Sequence, residues 1–245
     1  MTDHMQLVGL LRRTLVLWDV DHTLIENGGV SKDTYALAFE LVAGCAPSVQ
    51  PVTHGRTDFL IMQALLEANG VDAGGFETIE SFRPFLISAM KQVGPGLPSR
   101  GYVLPGVVDA LRVLDGVEAV VQSALTGNVV ENAWAKLDPF DLTRWLDMEV
   151  GGFGSDAEVR SDLVRVAQDK AAAKYGREYD AESTILIGDT PLDIKAAQDG
   201  GAKVIAVATG VHDLDELRAA GPDAALQDLS DLDMFLSTLV KVRQR

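Results

Sequence analysis

Three short stretches hold residue types that could do chemistry together. LVLWDVDHTL, residues 15–24, ends an apolar run in Asp19 and Asp21, with Thr23 two places on. ALTGN, 124–128, ends another apolar run in Thr126, Gly127 and Asn128, and IGDTPLD, 187–193, carries Asp189, Thr190 and Asp193. Two unit charges 4 Å apart repel by about 4 kcal/mol at an effective dielectric of about 20. Asp19, Asp21, Asp189 and Asp193 could therefore converge only around a countercharge. Oxygen donors without cysteine or clustered histidine favour Mg²⁺ over zinc or copper, and Asp19 beside such an ion could act as a nucleophile. Taken singly, each stretch has a plainer reading. Aspartates after strands cap turns and helices, and Thr190-Pro191 reads as an N-cap followed by proline at the first helical position.

The elements around these stretches decide whether they meet. Residues 14–19 form a short β-rich apolar run, read as a buried strand. Helices are expected over 31–44 with Ser31 as N-cap, over 55–69, and over 76–93, where Pro84 should kink or split the last. A Gly/Pro-rich linker, 94–106, follows. The rhythm then alternates. Strands are expected at 117–125, near 147–150, at 184–188, at 203–208 and near 223–226. Helices are expected at 107–115, 128–137, about 159–175, 192–199, 213–220 and 230–240. Alternation predicts an α/β, Rossmann-like parallel sheet with helices on both faces, and the helical stretch after the first strand reads as an insertion. In such sheets ligands bind beyond the carboxyl ends of the strands, where all three stretches fall. Trp18 should pack in the sheet, and Met62, Leu65 and Leu66 should pack among the inserted helices.

Composition narrows the partners. The 245 residues carry a formal net charge of −15 and are 47% hydrophobic. That charge repels polyanions, so nucleic acid and anionic membranes are excluded as expected partners. The single cysteine, Cys45, rules out an intrachain disulfide or a multi-cysteine zinc site and is expected to fill core space. The N-terminal MTDHMQLVGLLRRT reads as neither a signal peptide nor an anchor, which makes the cytoplasm the expected location. His4, His54 and His212 lack ligand-type spacing.

DVDHTL, LTGN and GDTPLD, in that order, resemble the motifs of the haloacid dehalogenase (HAD) superfamily. Residues 13–26 and 100–210 resemble its core, and the helical insertion its first-position cap. The resemblance implies a core of residues 1–29 and 98–245 and a cap of residues 30–97. It implies Asp19 as a nucleophile that becomes an aspartyl phosphate. Asp21 would be the general acid and then the base, its backbone carbonyl also a metal ligand. Asp189 would sit on Mg²⁺ with Asp193 in support, and Thr126 would bond the transferring phosphoryl group. Thr23, Gly127, Asn128 and His22 fall among expected substrate contacts, with amides near Val20, Asp21 and Gly127 cradling phosphoryl oxygens. Arg56 joins them, because HGRTD, 54–58, is similar to a cap segment of phosphoglycolate-phosphatase-like members. The family also places a cation ahead of its Gly-Asp motif. Arg160 suits that spacing better than Lys170 or Lys174, and its fork can bind phosphate oxygens bidentately.

The implied activity is Mg²⁺-dependent hydrolysis of a small phosphorylated metabolite by a monomer or homodimer, phosphoglycolate-phosphatase-like. Asp21 argues against a dehalogenase, because a leaving halide needs no proton. A β-phosphoglucomutase-like phosphoryl transfer is the alternative. Another rival is a non-catalytic nucleotide-binding protein, since Gly152–Ala157 satisfies G-x-G-x-x-A and Glu178 follows it.

Overall fold

In the computed structural model, which describes residues 4, 8, 9, 11–72 and 74–244, six parallel strands form one sheet. They are β1 (Thr14–Trp18), β4 (Val120–Thr126), β5 (Gly152–Phe153), β6 (Thr184–Gly188), β7 (Lys203–Val207) and β8 (Ala224–Leu226), in the order β5-β4-β1-β6-β7-β8. The remaining pair, β2 (Ile25–Glu26) and β3 (Tyr102–Val103), is antiparallel. β1 lies centrally, with Trp18 level with Ala124 of β4 and Ile187 of β6. Both faces of such a strand are covered, which is why TLVLW is apolar throughout. Val16 and Trp18 pack on one face with Ile185, Ile187 and Phe235, while Leu15 and Leu17 pack on the other with Leu163, Val164 and Ile194. Trp18 is fully buried and its indole donates to Gln122 Oε1 at 3.2 Å, which satisfies its one polar atom.

The helices of the sheet layer are α5 (Val107–Asp115), α6 (Val130–Leu137), α7 (Arg160–Tyr175), α8 (Pro191–Gly200), α9 (Leu214–Ala219) and α10 (Leu232–Gln244). Between β2 and β3 run α1 (Val30–Ala43), α2 (Asp58–Ala68), α3 (Ile79–Val93) and the one-turn α4 (Leu97–Arg100). Phe39, Phe59, Met62, Leu65, Leu66, Phe82 and Leu86 form a cluster of their own there, which Val129 joins from the end of β4. β2 and β3 pair Ile25 with Val103 and Glu26 with Tyr102, so the chain leaves for these helices and returns at one place. Arg100 ties that place by donating to Gly28 O at 3.1 Å and pairing with Asp33 at 2.7 Å.

Several local expectations are corrected. α1 begins at Val30 behind Gly29, whose φ of 83° ends the preceding turn, so Ser31 is not its cap. α3 runs unbroken through Pro84. Pro84 is the sixth of its fifteen residues and forfeits one backbone hydrogen bond, but burial of Phe82, Leu86 and Met90 holds the helix together. Residues 148–150 form a 3₁₀ turn, and the strand falls instead at Gly152–Phe153. Cys45 is exposed, because it follows the left-handed Gly44 that ends α1 at the surface. The N-terminal stretch read as neither leader nor anchor lies partly outside the described residues. Among those described, no helix is long and apolar enough to cross a membrane.

Candidate active site

From β1 the chain moves to β4 on one side, and from β6 to β7 on the other. The crevice at a sheet's ligand-binding edge opens where such connections diverge, here between the carboxyl ends of β1 and β6. Asp19 and Asp189 each follow the last residue of those strands. Asp19 N donates to Ile187 O at 2.9 Å, which pins it to the β6 side. Thr190 caps α8 with a reciprocal capping box in which Asp193 Oδ2 accepts from Thr190 N at 3.0 Å and from its hydroxyl at 2.6 Å. The plain N-cap reading of Thr190-Pro191 is therefore right, and it also aims Asp193 at the crevice.

Arg160, at the start of α7, reaches this point from the neighbouring βα connection. Its Nη2 lies 2.5 Å from Asp19 Oδ1 and 2.5 Å from Asp193 Oδ1. Lys170 and Lys174 are engaged elsewhere, with Asp156 and with Asp147 and Glu149. Asp19, Asp189 and Asp193 each offer an oxygen within 4.8 Å of the others, all buried. Burial, outweighing the pull of Arg160, pushes the Asp19 carboxyl up to about 7. Burial, then the charges of Asp193 and Asp19, hold Asp189 well above the usual carboxylate range. Asp189 Oδ1 is touched only weakly by the Thr23 hydroxyl, at 3.4 Å, and its Oδ2 is buried with no hydrogen-bond partner. A buried, unsatisfied carboxylate oxygen beside two further carboxylates is a hard-donor set that suits a Mg²⁺-type cation. Arg160 Nε is likewise buried and unpartnered, a donor suited to an anion.

Asp21 is turned away from this cluster. Its Oδ2 accepts from Lys136 Nζ at 2.5 Å, and its Oδ1 from Asn27 Nδ2 at 2.8 Å and Ser31 Oγ at 3.1 Å. Burial raises its carboxyl, but the Lys136 charge and hydrogen bond, with His22 and Asn27, leave it below the usual range. Its side chain therefore is not in the acidic cluster. Lys136 was not anticipated, nor were Tyr35 and Asp58, which reach Asn128 from α1 and α2. Asn128 Nδ2 donates to Asp58 Oδ1 at 3.1 Å and to Tyr35 OH at 3.3 Å, and its Oδ1 accepts from Lys136 at 2.7 Å. One signal was legible: in VENAWAKL, Lys136 shares a helix face with Ala133 and Leu137, both buried.

The other expected residues, except the buried Thr23, meet around a cavity of about 40 Å³. Asp19, Asp21, Asn128, Arg160 and Asp189 line it from the sheet end, and His54 and Arg56 from the α1–α2 connection. Thr126 also lines it, with its hydroxyl accepting from Asn128 N at 3.3 Å. Gly127 lets that connection approach, since a Cβ there would lie 2.0 Å from Arg56 O. His22 lines the cavity at a left-handed φ of 64°, with Nδ1 2.8 Å from Glu26 Oε2 and its ring 5.8 Å from that of His54. His54, which lacks ligand-type spacing in the sequence, is thus at the cavity. A larger cleft, about 540 Å³, lies beyond the Gly55–Thr57 turn and shares Arg56 and Arg160, but none of the aspartates of the cluster lines it. In Gly152–Ala157 the glycines serve packing: a Cβ on Gly154 would lie 1.9 Å from Gly127 O, and one on Gly152 2.4 Å from Leu163 O.

Residues 159–232 match a family model described as HAD-hydrolase-like. The chain is 29% identical over 153 residues to "Probable phosphatase IndB" of Dickeya dadantii, covering 62% of this chain and 63% of that relative. The match thus spans less than two thirds of the relative's length. Among solved structures, a hydrolase from Pseudomonas syringae superposes with a TM-score of 0.66 at 20% identity, over 92% of this chain and 98% of that one. A predicted phosphoglycolate phosphatase from Haemophilus somnus gives 0.64 at 16% identity, over 92% and 98%. Identities this low establish a shared fold.

Proposed function

We propose that this chain, a member of the haloacid dehalogenase superfamily by its ordered motifs, its fold and its family-model match, is a Mg²⁺-dependent phosphatase. Its substrate would be a small phosphate monoester. The observation that carries this reading is the buried Asp19–Asp189–Asp193 cluster at the divergence of the sheet, with Arg160 locked beside Asp19 and Asp189 Oδ2 unsatisfied. Asp19 and Asp189, with Asp193 and the Asp21 carbonyl beside them, would hold the ion. Bound there, it supplies charge neutralisation and orientation for an anion attacking an anion.

The protein's own groups account for the rest. Arg160 holds Asp19 Oδ1, leaving Oδ2 to attack phosphorus, and offers its free Nε to a phosphoryl oxygen. The bond from phosphorus to the leaving oxygen breaks as the new bond to Asp19 forms, giving an aspartyl phosphate. Asp21 is ionised in the resting protein, so a monoanionic ester brings the proton that Asp21 passes to the leaving oxygen. Asp21, again a carboxylate, then takes a proton from the water that releases phosphate. Thr126, Gly127 and Asn128 position the phosphoryl group.

Residues 30–97 act as a cap over a core of 1–29 and 98–245. The cavity is narrow, about 40 Å³, and His54, Gly55 and Arg56 of the α1–α2 connection line it opposite the aspartates. Substrate entry therefore needs the helices lifted, about hinges near 26–30 and 94–106. Protection of these linkers from limited proteolysis by Mg²⁺ plus a phosphate analogue supports that motion, and unchanged cleavage refutes it. Arg56, exposed and without a carboxylate partner among the described residues, suits a second anionic group on the ester, as in phosphoglycolate. The deciding experiment is a turnover screen of phosphorylated metabolites with Mg²⁺ and with EDTA. Phosphate release should require the metal and vanish in Asp19→Asn with the unfolding curve retained. Turnover that survives Asp19→Asn overturns the proposal.

A further inference from the structure

We propose that Lys136 is a positioning residue for Asp21, fixing the carboxylate that handles the proton in both halves of the reaction; this rests on the phosphatase reading. Lys136 is 1% exposed and, among the described residues, the only charged one in the set of largest fully buried side chains. A lysine is almost never fully buried without a partner. Where such a pair serves stability alone, an apolar residue of like volume often does as well or better. This pair is asymmetric. Lys136 is enclosed, whereas the Asp21 side chain keeps 23% exposure and lines the cavity beside Asp19.

Lys136 from α6, and Asn27 and Ser31 around the start of α1, donate to the two Asp21 oxygens. Together they deny the carboxylate its freedom to turn about its terminal torsion. Asn128 fixes Lys136 in turn, and Asp58 and Tyr35 fix Asn128. Asp58 Oδ2 also accepts from Val129 N at 2.8 Å. The placement of Asp21 is thereby set by α1, α2 and α6 jointly. In the transfer step the Asp19–phosphorus bond forms, the bond to the leaving oxygen breaks, and the Asp21 proton goes to that oxygen. Lys136 keeps its protons throughout. A misplacement near 1 Å costs such a step on the order of 10²-fold.

The test compares kcat/KM, which reports the transfer half, for two esters: p-nitrophenyl phosphate, whose phenolate leaves without a proton, and the alkyl phosphate turned over fastest in the metabolite screen. Lys136→Met should lower the alkyl value by about 10²-fold, and the aryl value by roughly tenfold less. Lys136→Arg, which keeps a charged donor, should recover part of the alkyl loss. In an Asp21→Asn background, Lys136→Met should add less than about a twofold loss, because coupling vanishes once the partner is gone. That double variant carries no unpaired charge, so with Lys136→Arg it keeps the comparison available if Lys136→Met alone does not fold. Equal losses on both esters, a gain on the alkyl ester, or an undiminished loss in the Asp21→Asn background overturn the assignment alone. A wild type that turns over neither ester overturns the phosphatase reading and this assignment with it.

Discussion

Asp189→Asn should change the thermal stability of this protein in opposite senses with and without Mg²⁺. Asp189, Asp19 and Asp193 present oxygens within 4.8 Å of one another. At that separation each ionised pair repels by about 3.5 kcal/mol at an effective dielectric of about 20, and Asp189 faces two such partners. Arg160 and proton uptake, with Asp19 raised to about 7, limit the penalty the folded state bears. About 1–3 kcal/mol at mildly alkaline pH is then removed by substitution. A chain of this size melts about 2–4 °C higher per kcal/mol, so in EDTA the variant should melt roughly 2–12 °C above wild type. Metal at a thousandfold excess over its Kd stabilises the folded state by about 4.1 kcal/mol, which should lift wild type by roughly 8–16 °C and the variant far less. Calorimetry of both proteins in EDTA and in saturating MgCl₂ should therefore give melting orders that cross. A wild type indifferent to Mg²⁺, or a variant that melts lower than wild type in EDTA, refutes the reasoning.

The pH dependence of stability without metal should run downhill towards neutrality. Burial first, then the charges of Asp193 and Asp21, raise the Asp19 carboxyl from 3.8 to about 7. The folded state thus retains a proton that the unfolded state releases, and urea midpoints in EDTA should fall across that window, with Asp189, also raised by burial, acting in the same sense. Arg160→Lys should lower kcat/KM about 10²–10³-fold, because an ammonium gathers its donors on one nitrogen and lacks the planar fork by which Nη2 bridges Asp19 and Asp193 while Nε faces elsewhere; phosphate release measures it, and the Mg²⁺-dependent melting shift should persist. Gly127→Ala should destabilise by about 1–3 kcal/mol in urea titration and weaken substrate binding, since its Cβ would meet Arg56 O and Thr57 Cα at 2.0 and 2.7 Å.

Where side-chain pattern is local, the sequence was readable. TLVLW and TILIG stand where the apolar runs predicted strands, and Thr190-Pro191 caps α8 as its residue types require. Where an element depends on distant packing, it was not. The apolar residues near 148–150 turn as a 3₁₀ segment before β5, and Pro84 is absorbed by a helix whose buried face outweighs one lost hydrogen bond. Cys45 followed a general habit of its residue type and ignored the helix end it sits on.

The order of residues along the chain determined the class of fold, the three strand ends and the demand of several carboxylates for a cation, because apolar periodicity and like-charge repulsion need no knowledge of what lies across the molecule. Tertiary structure alone decided how those carboxylates divide. Asp189 and Asp193 join Asp19 from β6 and α8, whereas Asp21, only two residues from Asp19, is claimed by Lys136 from 115 positions away. Spacing along a strand says which side chains are neighbours in the chain. Which countercharge each one meets depends on helices that reach the same point from elsewhere in the fold.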